Sequence, residues 1–83
     1  MTINAVDPAE RFAANMRRLR DKRGHSQEAF ALVADIHRTE VTKLESGRRD
    51  PKLATLVKVA RALDVSLTEL LDGIDDLPEP SRP

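Results

Sequence analysis

Eighty-three residues make one small domain, and the absence of cysteine removes any disulfide framework and any thiolate metal or redox site. With no Trp or Tyr and only two Phe, the chain lacks the aromatic platforms on which single-stranded nucleic acid stacks, and no apolar run approaches the ~20 residues that span a bilayer. Fourteen basic side chains balance fourteen acidic ones, yet residues 11–61 hold 13 of the basic and six of the acidic, a net of +7, while 62–83 carry −5.

A basic body with an acidic end fits a polyanion on one face, although ordinary solvated helix faces give the same arithmetic. No signal-peptide pattern follows Met1, so a soluble cytoplasmic protein is expected, with no membrane partner. In chain order, residues 1–7 read as a short arm. Asp7-Pro8-Ala9-Glu10 reads as a helix start, with Asp7 as N-cap, Pro8 at N1 and Glu10 reaching back to the cap. Phe12, Met16 and Leu19 mark its inner face, and Gly24 ends it.

Ser26 caps a second helix to about residue 34, with Phe30, Ala31 and Ala34 inward. A third runs from about His37 to Ser46 and closes at Gly47, and Pro51 bars continuation. Leu53, Leu56, Val59, Ala60 and Leu63 predict a fourth amphipathic helix. Ser66 to Glu69 reads as a capping box opening a short fifth one that stops at Gly73, with Val65 positioned to staple onto Leu70. Residues 74–83, with three prolines and three acids, read as an extended or disordered acidic tail. The fold class is all-α, with residues 8–73 as the domain.

Two short helices joined by a tight turn are a helix-turn-helix candidate, in which the second helix enters the DNA major groove. At ~100° per residue, Val41 and Leu44 share the inner side of helix three with Glu45 beside them. Thr39 and Lys43 fall opposite, flanked by Thr42 and Glu40. Exposed threonines are poor helix formers, so a requirement other than helix propensity selects them.

Residues 11–72 resemble the Cro/phage-repressor type of helix-turn-helix domain, the XRE-like family. The resemblance rests on Leu19-Arg20, Arg23-Gly24, Ser26-Gln27-Glu28, Ala34 and Ile36. It continues through Leu44-Glu45-Ser46-Gly47-Arg48-Arg49-Asp50-Pro51, Leu53, Thr55-Leu56, Ala60-Arg61-Ala62-Leu63 and Val65-Ser66-Leu67. His37-Arg38-Thr39 also looks like the recognition-helix start of restriction-modification controller proteins. The resemblance implies a compact five-helix, lambda-repressor-like domain that binds double-stranded DNA through the major groove as a homodimer on a palindromic operator. By the same resemblance, Gln27 anchors a phosphate, and His37, Arg38, Thr39 and Lys43 take base-facing or groove-facing positions, with Glu40 and Thr42 beside them. Arg48 and Arg49 contact phosphate from the following loop, and Arg20 with Glu45 forms a buried structural pair. The dimer surface is placed on helix five and the end of helix four, through Val65, Leu67, Leu71 and Ile74, where apolar residues exceed what one small core can bury; the same series extended by Leu77 would serve a different protein partner in the competing reading below.

Four positions depart from the family pattern. Asp35 and Asp64 stand where Gly is common, and Asp tolerates the left-handed conformation. Lys52 replaces a Ser or Thr N-cap, and Glu40 stands where controllers often carry an aromatic. Glu40 is unfavourable beside phosphates unless it accepts from a cytosine amino group or steers Arg38. Leu32 and Val33 are either plain surface apolars or part of an interface.

Catalysis finds no support: the two histidines, His25 and His37, have no metal-ligand spacing, and the glycines all end helices. His25 is expected to cover Phe30. No cofactor, metal or small-molecule ligand is indicated. The competing reading is an antitoxin-like or adaptor module that keeps this fold but binds another protein.

Overall fold

The computed structural model describes residues 7–76, so residues 1–6 of the expected arm and the tail beyond Asp76, with Leu77, lie outside the described residues. Five helices follow in order: α1 Pro8–Lys22, α2 Gln27–Ala34, α3 Arg38–Glu45, α4 Leu53–Leu63 and α5 Leu67–Leu70. A single 3-10 turn, Ile74–Asp76, comes next. The opening of the expected tail therefore folds: this turn packs on α1, and Ile74 lies against the core.

Local chemistry sets most boundaries. Asp7 Oδ2 accepts from the Ala9 N–H at 3.2 Å, and Ser26 and Ser66 hydroxyls accept from the N–H groups of Ala29 and Glu69, each at 3.0 Å. These bonds satisfy donors that a helix start leaves open. Lys52 makes no side-chain cap at α4, as its chemistry predicts. Asp35 and Asp64 both take left-handed backbone, φ 58° and 57°, and end α2 and α4 as Gly does elsewhere. Lys58 Nζ reaches the Asp35 carbonyl at 3.2 Å and steadies the turn between α2 and α3.

Phe12, Met16, Leu19, Phe30, Val41, Leu44, Val59, Leu63 and Leu70 form one buried cluster. Both α1 and α2 pack on α3, so the third helix is braced from two sides. His25 stacks obliquely near Phe30, ring centroids 6.4 Å apart, as expected. Val65 packs on the cluster that contains Leu70.

Two expectations need correction. Leu53 is 73% exposed instead of facing inward. It shares the angular position of Ala60 two turns on, yet stays in solvent, while Leu56 carries the inward face of the first turn of α4. Glu10 does not bond the α1 cap; its side chain lies over Gly47, where an added Cβ would sit 3.1 Å from Glu10 Cγ and 3.3 Å from Glu10 Cα. Gly47, at φ +77°, thus lets the end of α3 approach the first turn of α1.

One feature was not legible beforehand. Asn15, buried in α1, donates from Nδ2 to the carbonyls of Leu70 and Asp72, both at 2.9 Å. It satisfies carbonyls at the end of α5 that a four-residue helix cannot satisfy itself.

Candidate nucleic-acid interface

The outer face of α3 is fixed by a polar lock at its inner end. Arg20 donates from Nε to Glu45 Oε2 at 2.6 Å and from Nη2 to Glu45 Oε1 at 2.9 Å, a paired geometry. Glu45's side chain is 2% exposed and Arg20's 12%. Arg20 Nη1 also donates to the His25 carbonyl at 2.8 Å, tying the pair to the α1–α2 turn. The guanidinium's pKa is raised above its ordinary value, chiefly by the hydrogen bond to Glu45, with the carboxylate's charge adding to it.

Arg17, which the sequence reading did not single out, donates from Nη1 to the Glu45 backbone carbonyl. Arginines one turn apart on α1 thus hold both the side chain and the backbone at the C-terminal end of α3.

Gln27 joins this lock. Its Nε2 donates to Glu45 Oε1 at 3.0 Å and its Oε1 lies 3.4 Å from the exposed Thr42 hydroxyl, so the half-buried amide bridges the lock and the outer face of α3. A carboxylate oxygen already at the helix end offers the amide a fixed, charged acceptor. The backbone N–H groups opening α2 are further free donors beside it.

On the outer face, His37, Arg38, Thr39, Thr42 and Lys43 are exposed. His37 is also the N-cap of α3, its Nδ1 accepting from the Thr39 N–H at 3.4 Å, a role its sequence position did not reveal. Thr42 Oγ1 donates back to the Arg38 carbonyl at 3.2 Å. Arg48 is exposed in the loop, and its backbone N–H bonds the Ser46 hydroxyl at 3.3 Å. A shallow cleft of about 320 Å³ runs between Thr42, Lys43, Ser46, Arg48 and Arg49.

Glu40 neither steers Arg38 nor stands bare. Its Oε1 accepts from Arg49 Nη1 at 2.6 Å, joining the first turn of α3 to the loop after it. Helical periodicity could not show this, because Arg49 lies beyond the helix.

The residues assigned to a dimer surface divide. Leu67, Leu71 and Ile74 line one groove with Thr68 and Asp72, whereas Val65 lines a separate cleft with Lys22, Arg23 and Leu63. Val65, Leu71 and Ile74 are partly buried against the core, and Leu67 is the exposed member at 37%. Leu32 and Val33 on α2 are exposed. No helix among the described residues is long and apolar enough to cross a membrane.

A family model described as helix-turn-helix matches residues 16–70. The chain is 36% identical over 66 residues to the control protein C.MunI of a Mycoplasma species, covering 78% of this chain and 89% of that protein. It is 34% identical over 77 residues to the HTH-type transcriptional regulator y4dJ of Sinorhizobium fredii, covering 93% of this chain and all of that one. Among solved structures, the restriction-modification controller protein C.AhdI from Aeromonas hydrophila superimposes with a TM-score of 0.72 at 35% identity, covering 75% of this chain and 94% of that chain.

Proposed function

The chain belongs to the helix-turn-helix family of DNA-binding transcriptional regulators and is not an enzyme, and on that premise we propose that it is a controller-type regulator that binds a palindromic operator as a homodimer. The observation that carries the proposal is the exposed row Arg38, Thr39, Thr42 and Lys43 on a helix whose inner end is locked by Arg20, Gln27 and Glu45. A rigidly held helix with short polar and cationic side chains outward suits insertion into a groove.

In this reading Arg38 pairs with guanine O6 and N7, and Thr39 touches a thymine methyl. Lys43, Arg48 and the N-terminus of α2 meet phosphates, with His37 and Thr42 at the groove edge. One recognition helix reads only a few base pairs, so a second copy is required. Leu67, Leu71 and Ile74 are its docking groove, an apolar strip beside an acidic end that the DNA itself would repel.

Selection of duplexes from a random-sequence pool by the purified chain tests the proposal. The enriched sequences should be two-fold symmetric, with half-site centres ~10 bp apart or a multiple of that. Affinity should fall by ~0.9 log units per log unit of salt for each phosphate neutralised. Failure to retard any duplex, with co-purification of another protein, would favour the adaptor reading.

A further inference from the structure

Glu40 is an acid on a face otherwise equipped for phosphates, and its partner explains the placement. Glu40 Oε1 accepts from Arg49 Nη1 at 2.6 Å, with the side chains 24% and 43% exposed. Arg38, Lys43 and Arg48 take part in no ion pair among the described residues. Arg49 therefore differs from the other cations of this face: it is already engaged.

We infer that Glu40 determines specificity by withholding Arg49 from DNA until a matching base replaces it as the carboxylate's donor. The inference rests on the DNA-binding reading above. To reach a phosphate, Arg49 must leave Glu40. The released carboxylate then lies in the groove beside phosphates and needs a donor. Guanine and thymine offer acceptors and a methyl at their major-groove edges, and adenine's amino group stands next to the N7 acceptor. Cytosine N4–H is the donor that suits an isolated carboxylate.

The exchange is Glu40 to cytosine and Arg49 to phosphate, both made or neither. At a site without cytosine in that place, Arg49 stays on Glu40 and its phosphate contact is absent. A contact to the backbone, blind to sequence by itself, becomes conditional on a base. Exposed ion pairs are weak, so a matched site opens this one readily and the discrimination is several-fold.

The test compares the 83-residue chain with its Glu40→Gln, Arg49→Ala and double variants on two probes. One is the duplex that the wild type enriches from a random pool; the other is a scrambled duplex of the same composition. Glu40→Gln should tighten the scrambled duplex by about 3–10-fold. Its salt dependence should steepen by ~0.9 for each protomer bound, one further phosphate contact apiece, because Arg49 is now released. The enriched duplex should gain no affinity, since its Arg49 is already on phosphate. With Arg49→Ala added, the steepening should vanish.

Equal tightening of both duplexes overturns the inference, as does steepening that persists without Arg49, because either result reduces Glu40 to a repelling charge. A wild type that retards no duplex overturns the DNA-binding reading and this inference with it. Retention on DNA with either contrary pattern overturns the inference alone.

Discussion

α3 carries two arginine–glutamate pairs, each with a 2.6 Å contact, and they do opposite things. Arg20–Glu45 is nearly sealed from water, doubly hydrogen-bonded, and reinforced by Gln27 and the His25 carbonyl. Arg49–Glu40 makes one such bond in partly solvated surroundings. Burial makes the first pair costly to break on one side, because the surviving charge is stranded. Water and salt make the second cheap to open. The same chemistry thus fixes the helix at one end and leaves a labile contact at the other, and distance alone does not distinguish them.

The comparison breaks most directly at Arg20. Arg20→Ala leaves Glu45 buried with Gln27 as its remaining side-chain donor, and should cost about 3–5 kcal/mol, most of a small domain's stability. Thermal or urea unfolding measures it, and melting within a degree or two of wild type would refute the lock. Arg38→Ala should leave folding intact but lose ~1–3 kcal/mol on the selected duplex and relax preference at one base position per half-site. An equal loss on scrambled DNA would make Arg38 a phosphate contact.

Gln27→Ala removes one bond to a carboxylate that keeps both of its arginine bonds, so a loss of about 1–2 kcal/mol is expected in urea unfolding. A larger loss in DNA affinity than in stability would return Gln27 to direct phosphate contact. Glu40→Gln should change stability by less than ~0.5 kcal/mol. Raising the salt concentration should leave the Arg20 contribution nearly intact while reducing this small one. The raised pKa of Arg20 gives the sign of the guanidinium's own contribution to pH behaviour: with its carboxylate partner ionised, the stabilisation is present below the unfolded-state value and is lost as pH climbs through the folded one. Both lie far above neutrality, so arginine titration should produce no stability change through the neutral range.

The helix boundaries and the inner faces of α1, α2 and α3 were legible in residue order because caps, left-handed stops and the 3.6-residue period act over a few neighbouring residues. Asp7, Ser26, Ser66, Asp35 and Asp64 each do locally what their chemistry predicts. The Arg20–Glu45 pair was reached through family resemblance, since nothing in a spacing of 25 residues announces a contact.

Tertiary packing decided the rest. It set Gln27 against Glu45, brought Arg17 to the end of α3 and sent Asn15 to the carbonyls after α5. It left Leu53 without a cover and matched Glu40 with Arg49 across a loop. A long polar side chain can satisfy its hydrogen bonds with any group within reach, and which groups come within reach is set by how the helices cross. Apolar periodicity constrains one face of each helix; it leaves open which partner a polar side chain finds at the helix end, and that is where the DNA-facing chemistry proposed for this protein lies.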